Sequence, residues 1–171
     1  MSSIYVCNLQ EMPGHVVALA PSHLVSLVAP GELPATPETI LIDRHLRIEI
    51  HDICEELYGH VVPEARHVRQ VIEFLRAWSH TEGPLLIHCF AGISRSMAAA
   101  LIGLVVKAGG REAEAATLMR RTAPHAWPNA RMVALADELL GCEGRLIAAR
   151  EAMGLPNLTL AAPLVRLPLL D

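Results

Sequence analysis

From Cys89 to Ser96 the chain reads CFAGISRS, preceded by His88, and these residue types at this spacing can hold and attack a phosphate-sized anion. A cysteine beside a helix N-terminus and a cation is favoured as its thiolate, which is a strong nucleophile. Arg95 offers a planar fork of donors that matches two oxygens of a phosphoryl group and stabilises charge developing on them. Gly92 lets the backbone turn where a side chain would block the anion. The Ser96 hydroxyl can hydrogen-bond the thiolate and make it a better leaving group in a second step, and His88 can orient the loop. A buried structural cysteine followed by an arginine at a helix start leaves the glycine and the hydroxyls unexplained.

The flanking elements must place that loop. Leu85, Leu86 and Ile87 follow a Gly83-Pro84 turn signal and read as a buried strand, while residues 96–108 read as a helix stopped by Gly109-Gly110. The residues between them must form a tight loop at a helix N-terminus. Backbone N–H groups and the positive end of the helix dipole then point at one spot.

These residues resemble the cysteine-dependent protein tyrosine phosphatases, whose signature is His-Cys, five residues, Arg, then Ser or Thr. Cys89, Phe90, Ala91, Gly92, Ile93, Ser94 and Arg95 fill it, with His88 before and Ser96 after. The resemblance covers residues 4–141 and is strongest for the small dual-specificity branch and its bacterial-type relatives. It implies an α/β fold, a central and mostly parallel sheet flanked by helices, with the phosphate loop at the C-terminal end of a strand. It also implies Cys89 as nucleophile, Arg95 as phosphate ligand, Ser96 as thiolate partner, and residues 90–95 as the substrate-binding loop.

Transfer of a phosphoryl group to a thiolate leaves an alkoxide or phenoxide, so a carboxylic acid is needed to protonate it and later to activate water. In the family this is an Asp on a loop upstream of the cysteine. Asp52 fits, 37 positions before Cys89 and directly after the alternating segment 44–50. Glu55 and Glu56 are the reserves, and Asp43 is less suited. The Trp-Pro-Asp form of that loop, found in the large tyrosine-specific branch, is lacking here. Trp127-Pro128-Asn129 looks like it but follows the cysteine and carries an amide. In small dual-specificity members an Arg near a helix end and then a Pro-Asn pair help hold the phosphate loop. Arg120 or Arg121 with Pro128-Asn129 is similar, and a plain helix cap is the other role open to Asn129.

With 171 residues the chain fits one phosphatase domain, residues 1–153, followed by an apolar, proline-containing tail, residues 154–171. A hydrophobic fraction of 52% argues against disorder, and a net charge of -4 excludes a broad basic face for nucleic acid. No basic region with an apolar core opens the chain, and its apolar runs are too short or too broken to span a bilayer, so no membrane association and a cytoplasmic location are expected. The spacing of Cys7, Cys54, Cys89 and Cys142 suits neither a zinc site nor a disulfide framework, and the nine histidines show no metal-ligand spacing. No cofactor and no metal are expected.

The remaining elements follow from periodicity. Strands are predicted at residues 4–9, 24–28 and 44–50, the last with Arg47 and Glu49 on a wet face. Short helical turns are predicted at residues 14–20, and a loop at 30–37. Residues 63–78 read as an amphipathic helix with Pro63 in its first turn and Val68, Val71, Ile72, Leu75 and Trp78 as its core stripe. Further helices are predicted at 112–121, 132–140 and 143–153. The tail must pack on its own domain or on a second copy in a homodimer.

The predicted activity is hydrolysis of phosphomonoesters on tyrosine-phosphorylated or doubly specific protein and peptide substrates, through a phosphocysteine, with inhibition by phosphate or vanadate. The loop interior has no lysine; family members that act on inositol phosphates often carry basic residues there, so the resemblance favours phosphorylated proteins over inositol phosphates. Two rivals are a phosphate-binding module without turnover and a rhodanese- or arsenate-reductase-like redox protein, in which Cys54 pairs with Cys89.

Overall fold

The computed structural model of the protein describes residues 3–160 and 162–170. Five strands form one sheet: β1 (Ser3–Asn8), β2 (His23–Val28), β3 (His45–Glu49), β4 (Leu85–Cys89) and β5 (Val165–Pro168), in the order β3-β2-β4-β1-β5. The first four are parallel neighbours, and β5 is antiparallel to β1. Burial explains their composition. Every residue of β2 and β4 is buried, as expected of aliphatic runs in the middle of a sheet covered on both faces. Edge strand β3 alternates, with Ile48 inside and Arg47 and Glu49 in water.

Six α-helices accompany the sheet: α1 (Met12–Leu19), α2 (Ala65–Ala77), α3 (Arg95–Ala108), α4 (Glu112–Thr122), α5 (Ala130–Leu140) and α6 (Arg145–Ala152). On one face α3 packs against β1 and β4 and is itself covered by α2, α4 and α5. That explains why its residues from Arg95 through Val105 are all buried and why so many are alanine. The opposite face carries a smaller cluster of Met12, Val16, Leu24, Ile40 and Leu86 under α1. Gly109, with φ of 65°, ends α3 in the left-handed conformation that favours glycine.

Two details differ from the sequence-based expectations. Pro63 lies outside α2, whose N-cap is Glu64 with its backbone N–H donating to His67 Nδ1 at 3.0 Å. The stripe from Val68 to Trp78 is nevertheless buried core. The other difference is the tail. Val165 and Leu167 turn inward while Arg166 and Pro168 face out, so this short segment completes the sheet edge. A proline is tolerated there because no further strand needs its N–H.

Candidate active site

β4 carries the backbone to Cys89 at its C-terminal end, and α3 begins at Arg95, so residues 90–94 bridge a strand end and a helix N-terminus as expected. Buried Cys89 has its Sγ 3.0 Å from the Ser96 Oγ, and the Gly92 N–H donates to the same sulfur at 3.3 Å. Two polar groups thus frame the sulfur. Gly92 has φ of 74°, and a Cβ on it would lie 2.9 Å from the carbonyl carbon and oxygen of Cys7. The steric demand therefore comes from the end of β1 as well as from the turn. The loop is fastened on that side, since Leu9 N–H donates to Phe90 O at 3.0 Å and Ala162 N–H to Ala91 O at 3.0 Å. Asn8 closes the same corner, its amide donating to Ala162 O at 3.0 Å while its Oδ1 accepts from Glu11 N–H.

Arg95 is buried, with Nη1 donating to Ile50 O at 2.7 Å, whereas its Nε has no partner. A buried guanidinium edge left open is suited to oxygens of a bound anion. The site is a cleft of about 490 Å³ lined in part by Cys89, Phe90, Ala91, Ile93, Ser94, Arg95 and Asp52. Asp52 is the carboxylate among its described lining residues; Glu55 and Glu56 are exposed and do not line it. Asp43 belongs to a short 3-10 turn, residues 42–44, and does not line it either.

Asp52 is held by its surroundings. Ser94 Oγ donates to Asp52 Oδ1 at 2.6 Å, and Asn129 Nδ2 donates to the same oxygen at 2.9 Å. Asn129 also caps α5, its Oδ1 accepting from Met132 N–H at 3.0 Å, and its own N–H donates to Ser94 O at 3.2 Å. The side chain thus caps α5 and holds the Asp52 loop, donating also to Ile53 O at 3.3 Å, while it is the backbone N–H of Asn129 that reaches the signature loop. Arg120 does something different. It donates to the carbonyls of Met153, Ala123, Pro124 and Gly154, fastening the end of α6 to the turn after α4.

Behind the cysteine, buried His88 shares a hydrogen bond of 2.6 Å between its Nε2 and Ser26 Oγ, with Nδ1 3.3 Å from Cys89 O. Ser26 Oγ lies 2.8 Å from His45 Nε2, and His45 Nδ1 lies 2.8 Å from Thr36 Oγ1. Burial, reinforced by Arg95, pushes His88 down to about 4, and burial with Arg47 and His88 nearby pushes His45 down to about 4. Both imidazoles are therefore neutral at neutral pH. Burial first, then the nearby Cys89 and Glu11, pushes the Cys7 thiol up to about 12, so this second cysteine at the loop is an inert core residue.

Several contributors escaped the sequence reading. Ser26 reaches His88 on one side and His45 on the other only because β2 pairs with both β3 and β4. Arg131 donates from Nε to Pro63 O at 2.6 Å and from Nη1 to Cys54 O at 3.3 Å, tying the loop that carries Asp52 to α5. Trp127 and Arg150 line the cleft beside Asn129. The four cysteines are free thiols; Cys54 is exposed and lines the same cleft as Cys89. Among the described residues, no three His, Cys, Asp or Glu side chains cluster as metal ligands, and no helix is long and apolar enough to cross a membrane.

Residues 53–122 match the protein-tyrosine phosphatase family. Dual specificity protein phosphatase 15 of Rattus norvegicus is 29% identical over 109 residues, which cover 63% of this chain and 41% of that protein. The chain therefore spans less than half the length of this relative. Among solved structures, DUSP15 aligns with a TM-score of 0.58 at 22% identity, covering 90% of this chain and 91% of that one. The human tyrosine phosphatase-like serine/threonine/tyrosine-interacting protein aligns with a TM-score of 0.61 at 19% identity, covering 82% and 92%. These structural likenesses concern the fold; the matched segment and the complete His-Cys signature support the resemblance to the dual-specificity-like side of the cysteine-dependent protein tyrosine phosphatases.

Proposed function

We propose that this chain hydrolyses phosphate monoesters on proteins or peptides through a phosphocysteine at Cys89. The observation that carries this reading is the convergence of Cys89, Arg95 and Asp52 on one cleft. In the first step the Cys89 sulfur attacks phosphorus, the S–P bond forms and the P–O bond to the leaving group breaks. The open edge of Arg95 takes charge on the phosphoryl oxygens. Both described donors to Asp52 converge on Oδ1, which leaves Oδ2 to carry the proton given to the leaving oxygen. In the second step Asp52 takes a proton from water as the water oxygen attacks phosphorus. The S–P bond breaks, and the departing thiolate is held by Ser96 Oγ and Gly92 N–H.

Substrate class follows from the mouth of the cleft. Phe90 is 60% exposed and Trp127 48% exposed, giving apolar faces for a peptide, while the loop interior has no lysine for a multiply phosphorylated inositol. A free nucleophilic thiol works in a reducing compartment, so we infer a cytoplasmic setting.

The test is hydrolysis of phosphotyrosyl and phosphothreonyl peptides with vanadate and phosphate as competitors. Turnover blocked by either oxyanion is expected. Peptide binding with no release of phosphate would replace this reading with that of a phosphate-binding module.

A further inference from the structure

We propose that Arg150, with the exposed face of Trp127 beside it, forms a second anion subsite next to the signature loop. This subsite takes a carboxylate or a second phosphate close to the phosphorylated residue of a peptide. The inference rests on the phosphatase reading and narrows its substrate class.

Arg150, in α6, lies on the boundary between two cavities. It lines the catalytic cleft together with Trp127 and Pro128. The same three residues line a neighbouring cavity of about 260 Å³ that runs on toward Arg120 and Leu155. A substrate seated on Cys89 therefore finds a continuation of the groove past Arg150.

The guanidinium is held in place yet left open. Arg150 Nε donates to Pro128 O at 2.6 Å. That strap is in turn tied to the signature loop, with Trp127 N–H on Ile93 O at 2.9 Å and Asn129 N–H on Ser94 O at 3.2 Å. The charge thus sits at a fixed offset from the phosphate loop, which is what selection between substrates requires. No described residue accepts a hydrogen bond from Nη1 or Nη2 of Arg150, and Arg150 takes part in no ion pair among the described residues.

The neighbouring arginines differ in this respect. Arg120 spends its fork on four carbonyls, and Arg131 spends its donors on Pro63 and Cys54. Glu151 lines the second cavity and Asp52 the cleft, so the arginine also offsets the negative charge that an acidic substrate would meet. With Nε engaged on Pro128 O, the free edge formed by Nη1 and Nη2 is matched by a carboxylate or a phosphate.

The test uses one phosphotyrosyl peptide in three forms, with Asp, phosphoserine or Asn placed in turn at the positions flanking the phosphotyrosine. Their kcat/KM values are compared in the wild type, Arg150→Gln and Arg150→Lys. The wild type should favour the Asp or phosphoserine form over the Asn form by roughly three- to tenfold at low salt, mainly through KM, with the advantage shrinking as salt rises. Arg150→Gln should bring that ratio close to one, and Arg150→Lys should keep part of it. Whichever acidic form gains more identifies the anion.

The same peptides titrated onto Cys89→Ser should show the same preference in Kd. Loss of turnover in the wild type with that preference intact would sink the phosphatase reading and leave the subsite standing. Equal values for all three peptides in the wild type, or an unchanged preference in Arg150→Gln, would overturn the subsite.

Discussion

Asn129 donates a hydrogen bond of 2.9 Å to the Asp52 carboxylate across 77 positions of sequence, while its other amide atom caps α5. One side chain thus ties the loop bearing the proposed general acid to the helix that borders the signature loop. The two functions are separable by substitution. Asn129→Ser keeps an N-cap acceptor but is too short to reach Asp52, so thermal stability should stay near that of the wild type while kcat falls by about tenfold. Asn129→Ala should lose both, with a stability cost of about 1 kcal/mol. Melting curves alongside kcat separate the outcomes, and full activity in the serine variant would remove the bridge from the mechanism.

Asp52→Asn should lower kcat by about a hundredfold or more with little change in KM, because a general acid contributes on that scale. The loss should be smaller for a substrate whose leaving group is already acidic. Since Glu55 and Glu56 lie outside the cleft, their glutamine variants should retain most of the activity.

Stability should fall in mild acid. His88 and His45 have ordinary values near 6.5 when unfolded and are pushed down to about 4 in the fold, chiefly by burial. Between those values the unfolded chain binds more protons than the folded one. The stabilisation is therefore complete above about pH 6.5 and drains away as pH falls toward about 4. Denaturant midpoints followed through that window check the sign. Ser26→Ala leaves both imidazoles short of a partner and should cost about 1–3 kcal/mol at neutral pH.

Gly92→Ala should damage the loop through its fit to β1. Its φ of 74° and the 2.9 Å approach to the Cys7 carbonyl leave no room for a Cβ, and the nearest atoms are backbone. A loss of stability on the order of 1–3 kcal/mol is expected, with a larger fall in turnover because the Gly92 N–H no longer meets the Cys89 sulfur. A variant with unchanged melting temperature and rate would contradict the geometry.

What the sequence made legible was what lies close together along it. The run from Leu85 to Gly109 carries its own strand, turn and helix signals, and these fix Cys89 and Arg95 at a strand end and a helix start without knowledge of the rest. The alternation ending at Ile50 likewise put Asp52 at a strand end. What stayed hidden depends on register between distant segments. Ser26 meets His88 on one side and His45 on the other only through the pairing of β2 with its two neighbours. Gly92 has a backbone neighbour in β1 that no local pattern announces. The tail strand was masked by its prolines, since only an edge position tolerates one. Arg150 entered only as part of the helix predicted at 143–153, because its place beside the cleft depends on the Pro128 strap it leans on.

The central claim is that Cys89 is the nucleophile, and hydrolysis of para-nitrophenyl phosphate tests it most directly. The wild type and Cys89→Ser would be assayed under reducing conditions, without added metal, across a pH range spanning mild acid to mild base. The account predicts turnover by the wild type and none above background for the serine variant, with vanadate still bound by both. Turnover retained by Cys89→Ser, or a wild type that binds vanadate and releases no phenol, would contradict it.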